Sequence, residues 1–243
     1  MLISLQAARV TTGTPEHVDH DEVVAPRWVT IEDGCISAVG TQPHPHAAQF
    51  DLRPLQLWPA FTDRHATGTP LRRRQIARFA AAHNTVFATH DPDSESAVIE
   101  AAAMRAGICE FPLTLDAAAA ARNNGLAIVM GAPNAWRGPS HLSNLSARDA
   151  IEAGVVDVLT SDYHSGPLSR AAVAVSEAGV ASIDTAVAML TTHPRRVIAT
   201  SNRDFGGLTP GQPADLVAVR TEPMAAVVGT WSPGRQVSGP ALW

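Results

Sequence analysis

The sequence predicts an α/β fold, a core of parallel strands and helices joined to a small β-rich domain built from both ends of the chain. Three observations carry this. After Trp58, strand-like runs recur every 20 to 30 residues with a helical pattern between them, the spacing of successive parallel βα units. The run Ala127 to Met130 is apolar without alternation, as a strand buried on both faces is. Both ends of the chain instead alternate short β-like pieces with turns. The expected division is a composite β-domain of 1–58 and 206–243 and an α/β domain of 59–205.

The elements follow in order. MLISLQAARV, RWVTIEDGCISAVG and FDLRPLQLW read as strands, and Glu32, Asp33 and Gly34 form a hairpin turn between two apolar runs. His17, His20, His44 and His46 lie at irregular spacing in Pro- and Asp-rich segments and read as solvated loop residues. WPAFTDRHATG is a short strand ending in Asp63, Arg64 and His65. LRRRQIARFAAAHN is a helix with Leu71, Ile76, Phe79 and Ala80 on one face. TVFATHD is a strand ending at His90 and Asp91, and Asp93 or Ser94 caps the helix from Ser96 to Ala106. ICEFPL is a strand and LDAAAAARNNG a helix with an Asn-Asn-Gly stop.

The strand at Ala127 to Met130 stops at Gly131 and Pro133. A polar loop follows, carrying Asn134, Trp136, Arg137, Ser140 and His141. LSNLSARDAIEAG is a helix capped by Ser146, and VVDVLTSDYHSG is a buried strand that delivers Ser161, Asp162, Tyr163 and His164. Helices run from Pro167 to Ala178 and from Ile183 to Leu190. The tail, GGLTPGQPADLVAVR and AAVVGTWSPGRQVSG, returns to strands and turns.

Composition bounds the function. The chain has 243 residues and a formal net charge of −5, so no cationic field draws it to nucleic acid or anionic lipid, and neither partner is expected. All 18 basic residues are arginine. That excludes Schiff-base chemistry, lysine general bases, a P-loop lysine and a carbamylated-lysine metal bridge, while arginine suits a small anionic substrate. Cys35 and Cys109 fit no zinc or redox spacing and read as reduced thiols of a cytoplasmic protein. The first residues lack the pattern of a signal peptide, and no apolar run approaches membrane-spanning length.

Three of the strand-like runs after Trp58 finish with a metal-ligand type, His65, His90 and Asp162, and the loop after Pro133 reaches His141. Imidazoles and a carboxylate gathered at one sheet edge suit Zn²⁺ or a related divalent ion, which lowers the pKa of bound water and polarises the bond to be split. Asp162 suits both ligand and general base.

The pieces THDPDS, EFPLTLDAAAAARNNG, VMGAPNAWRGPSHLSNLSA, VVDVLTSDY, HPRRV and GLTPGQPADLVAV resemble the C-terminal part of the PhnM-type metal-dependent hydrolases of phosphonate utilisation, within the amidohydrolase superfamily. That resemblance implies a (β/α) TIM-like barrel with a composite β-domain, and hydrolysis of 5-triphosphoribosyl 1-methylphosphonate with release of diphosphate. It implies metal-site roles for His90, His141 and Asp162, with His65 assisting. Asn134, Arg137, Ser140 and Tyr163, in the matching blocks, would meet the substrate.

The chain departs from that pattern in two places. His65 is followed by Ala66 and Thr67 where the family has a second ligand, and only one helix fits between His65 and His90. About five core strands are expected, a truncated or incomplete barrel whose exposed edges call for rearrangement or a homodimer. Two other functions stay open: an inactive barrel remnant that binds an anionic ligand or partner, and a hydrolase of a cyclic amide or N-acyl compound.

Overall fold

The computed structural model describes residues 2–12, 27–61, 73–83, 85–138, 144–162, 166–198 and 207–240. Its strands and helices, in chain order, begin with β1 (Leu2–Ala7), β2 (Arg9–Val10), β3 (Arg27–Glu32), β4 (Cys35–Gly40), β5 (Ala48–Asp51) and β6 (Gln56–Pro59). Then come α1 (Arg73–Ala82), β7 (Ala88–His90), α2 (Glu95–Ala103), β8 (Ile108–Glu110), α3 (Leu115–Asn123) and β9 (Ala127–Gly131). After these lie α4 (Ala132–Arg137), α5 (Ala147–Glu152), β10 (Val158–Thr160), α6 (Leu168–Glu177), α7 (Ile183–Ala188) and α8 (Thr192–Ile198). The chain closes with β11 (Leu216–Arg220), β12 (Ala226–Trp231) and β13 (Gln236–Ser238). Among the described residues no helix is long and apolar enough to cross a membrane.

The chain forms two compact units. The first comprises Met1–Thr62, Ser182–Arg195 and Arg203–Trp243. It holds two sheets, ordered β4-β3-β1-β5 and β13-β12-β11-β6-β2. The β3–β4 hairpin turns at Asp33 (φ 48°) and Gly34 (φ 84°), both left-handed, as a two-residue type I′ turn requires. Alternate residues of the strands bury Ile3, Leu5, Val29, Ile31, Leu57, Leu216 and Trp231 in one core. The run at Trp58, expected as the first strand of the α/β core, is β6 of this unit. It pairs antiparallel with β11, Pro59 opposite Leu216, and parallel with β2.

The second unit comprises Asp63–Ala181 and Arg196–Asn202. Its sheet is all parallel, ordered β10-β9-β8-β7. Two of the helices between these strands start on a side-chain cap. The Thr114 hydroxyl accepts from the Ala117 amide at the head of α3, and Ser146 does the same for Arg148 at the head of α5. Each such cap contributes about 1 kcal/mol. Ser94 occupies the corresponding position of α2, but its hydroxyl is turned to Asp93 and makes no cap bond.

The sheet has two distinct faces. Cys109 and Ile128 point to the side where Val98 and Ala101 of α2 and Ala117 and Ala121 of α3 pack. Ile108, Val129 and Val158 form a separate cluster on the other side, with Ala88 and Phe111 partly buried against it. Among the described residues this sheet does not close into a barrel, and neither β7 nor β10 has an outer neighbour. The expected apolar face of α1 is not covered either. Ala80 is buried, but Phe79 is 62% exposed and Ile76 37% exposed.

Candidate functional site

The carboxyl ends of the parallel strands define the candidate site, because side chains at register-paired positions share a face. His90 of β7 pairs with Glu110 of β8, Glu110 with Val129 of β9, and Val129 with Val158 of β10. His90 and Glu110 therefore lie on the face of the Ile108 cluster, away from α2 and α3. The ladder continues one residue past His90, where the Asp91 amide donates to the Glu110 carbonyl at 2.9 Å.

The chain leaves three of the four strands in the left-handed region. Asp91 follows β7 at φ 51°, Phe111 follows β8 at φ 53°, and Asp162 lies just beyond β10 at φ 55°. Non-glycine residues held this way cost about 1–3 kcal/mol each, and such strain gathers at functional sites. It re-aims each chain end sharply at the strand edge.

His90 is oriented from two sides. Its Nδ1 lies 2.9 Å from Asp91 Oδ2, and its ring meets Phe111 edge-on, with centroids 5.2 Å apart and planes at 84°. Asp91, which the sequence places only at the end of this strand, is thus the partner of the imidazole. A carboxylate on Nδ1 selects the tautomer that leaves Nε2 as the ligating nitrogen, the arrangement seen around metal-bound histidines. Asp162 approaches from β10. Its Oδ2 would lie 3.4 Å from a Cβ placed on Gly131, so its carboxylate sits over the end of β9 where glycine leaves the space open.

The segment after β9, expected as a loop, begins as the short helix α4. Pro133, in the first turn, presets φ and lacks the amide that a helix start leaves unsatisfied anyway. Asn134 lies on α4 and its Oδ1 accepts from the Ala147 amide at 3.0 Å, which ties α4 to the head of α5. Arg137 is the exposed last residue of α4. Arg148 closes the helix end, donating from Nε to the Ala135 carbonyl at 2.8 Å and from a terminal nitrogen to the Trp136 carbonyl at 2.9 Å. The Arg170 guanidinium of α6 stacks over the Trp136 ring at 5.1 Å.

Of the residues expected at the site, His90 and Asp162 reach the same strand edge, and Asn134 and Arg137 lie on the helix that follows β9. His65, Ser140, His141 and Tyr163 lie outside the described residues. Sequence reasoning missed Glu110, 3% exposed at the end of β8. A carboxylate closing the apolar run ICE was the available signal. The imidazole and carboxylate types fit a hard or borderline divalent ion. Among the described residues, however, no group of three or more His, Cys, Asp or Glu is close enough to hold one.

A parallel sheet with histidine and carboxylates at its carboxyl edge and a β-rich unit drawn from both chain ends defines a class, and the comparisons agree. The chain belongs to the amidohydrolase family, whose sequence model matches residues 59–239. Amidohydrolases generally use a divalent metal ion. The chain is similar, at 34% identity over 168 residues, to the alpha-D-ribose 1-methylphosphonate 5-triphosphate diphosphatase of Escherichia coli strain K12. That alignment covers 68% of this chain and 44% of that enzyme, so the chain spans less than half the length of this relative.

Solved structures share the fold at low identity. Aspergillus niger ochratoxinase aligns at 13% identity with a TM-score of 0.71, covering 100% of this chain and 97% of that one. A prolidase solved with N-methylphosphonate-L-proline aligns at 14% with a TM-score of 0.67, covering 99% and 100%. A D-hydantoinase aligns at 12% with a TM-score of 0.63, covering 98% and 95%.

Proposed function

We propose that this protein is a metal-dependent hydrolase on a shortened amidohydrolase barrel that releases diphosphate from a ribose 5-triphosphate carrying a 1-phosphonate. The observation that carries the reading is His90, held through Nδ1 by Asp91 at the strand edge over which the Asp162 carboxylate also lies. His90 and Asp162 would hold the ion together with His141, assisted by His65. Zinc is the ion the donor types favour. When bound, such an ion lowers the pKa of water and polarises the phosphorus–oxygen bond.

The chain's own residues do the rest. Asp162 takes a proton from the attacking water as its oxygen bonds to the α-phosphorus, and the bond to the departing diphosphate oxygen breaks. Arg137, Ser140 and Tyr163 would bind the phosphate chain, arginine pairing bidentately with phosphate oxygens. Asn134 would position this segment through its bond to α5. The similarity to the phosphonate-pathway diphosphatase supports this substrate.

The test measures bound zinc and diphosphate release with 5-triphosphoribosyl 1-methylphosphonate, for wild type, H90A and D162N. About one ion per chain is expected in wild type. Both variants should lose the ion, and D162N should lower turnover by about 10²–10⁴. Hydrolysis of cyclic amides or N-acyl compounds in place of triphosphates would move the substrate to the carbon–nitrogen class. Binding of triphosphate without turnover or metal would leave an inactive ligand-binding barrel.

A further inference from the structure

We infer that Arg170, seated on the Trp136 ring, is a further substrate-binding residue that takes a phosphoryl or phosphonyl oxyanion. The inference rests on the diphosphatase reading above and adds to it a cation that holds substrate charge away from the bond being broken.

Arg170 differs from the arginines that brace the fold. Arg9, Arg53 and Arg122 each meet a carboxylate, and Arg148 is engaged by the carbonyls of α4. Arg170 meets a ring instead, its guanidinium carbon 5.1 Å from the Trp136 centroid. Its Nε is buried and has no acceptor among the described residues. The residue as a whole is partly exposed, and its terminal nitrogens are not buried with Nε. No acidic residue lies in the first turn of α6, where Arg170 sits, or in that of α4.

Both partners of this stack lie at the carboxyl edge of the parallel sheet. Helix α4 opens directly after β9, and α6 follows Asp162 and β10, the strand paired with β9. The two helices pack on each other. The Asp162 carboxylate lies over Gly131, the N-cap of α4, and Trp136 is roughly 8 Å further along that helix at its ordinary rise per residue. A ribosyl triphosphate is long enough to place its reacting phosphorus near Asp162 and another oxyanion at Arg170. A guanidinium whose face rests on an indole keeps its N–H groups in its own plane, where a tetrahedral oxyanion accepts two of them at once. The ring also restrains the side chain before the ligand arrives, so less freedom is lost on binding.

The experiment titrates full-length wild type, R170A and R170K, as purified, with inorganic tripolyphosphate and with methylphosphonate by calorimetry. It also measures KM and kcat for 5-triphosphoribosyl 1-methylphosphonate, and circular dichroism checks each fold. R170A should weaken binding of one probe by roughly ten- to a hundredfold through lost charge-assisted bonds, and should raise KM more than it lowers kcat. The probe affected identifies the oxyanion as that of the triphosphate or of the phosphonate. R170K should recover part of the affinity, since lysine keeps the charge and loses the bidentate fork. Binding of both probes by R170A as tight as wild type, with the fold intact, overturns the inference and leaves the diphosphatase reading standing. A wild type that binds neither probe also overturns it. Tripolyphosphate binding that depends on Arg170, without release of diphosphate from the substrate, overturns the diphosphatase reading and supports the oxyanion site. Should R170A fail to fold, R170Q replaces it: weakened binding supports the role, and unchanged binding overturns it.

Discussion

Cys109 and Glu110 are adjacent on β8 and face opposite ways, and the difference sets their chemistry. Cys109 is fully buried among the alanines of α2 and α3, and burial pushes its thiol up to about 12. Its folded pKa lies above the ordinary value, so the unfolded chain loses that proton first. Stability therefore falls as pH rises above about 9 and on toward 12. A thiol reagent near pH 8 should modify only the exposed Cys35 in the folded protein and both cysteines after denaturation. Two rapidly reacting thiols in the native state would contradict the burial. At this scale the sequence is an uneven guide. His90 and Asp162 stand out because each follows an apolar run, and position within a run is visible along the chain. Asp91 does not, since its pairing with His90 depends on a left-handed φ after β7.

The elements were legible where local chemistry decides them. Glu32 to Gly34 turn as read, and Ser146 caps α5 as read. Two elements escaped. The segment after β9 is glycine- and proline-rich, yet α4 forms because a residue far along the chain satisfies its terminal carbonyls. Arg148 makes those bonds and lies against Gly138, whose φ of 95° ends the helix. Replacing Arg148 by alanine should cost about 1.5–3 kcal/mol, since two charge-assisted bonds to carbonyls are lost, and denaturant unfolding would measure it. An unchanged midpoint would show that α4 needs no such tie. The other is α1, whose 3.6-residue apolar pattern forecast a buried face. Helix type was correct, but burial depends on partners, and Phe79 remains 62% exposed.

At the scale of the molecule, the parallel sheet ends at β7 on one side and β10 on the other, with no outer strand among the described residues. Open parallel edges and exposed apolar side chains on α1 and α2 are surfaces that proteins normally cover. A homodimer is our reading of how this one does so, and light scattering across a dilution series should return twice the 25.6 kDa chain mass. A monomer that stays soluble and folded would reject it. The composite β unit has a different implication, for order in time. Pro59 of β6 waits for Leu216 of β11, whereas β7 through β10, among the described residues, take their ladder partners from one another. During synthesis the continuous stretch carrying the candidate site can assemble while β6 still lacks its antiparallel partner, so the scaffold that brackets the chain is the last part finished.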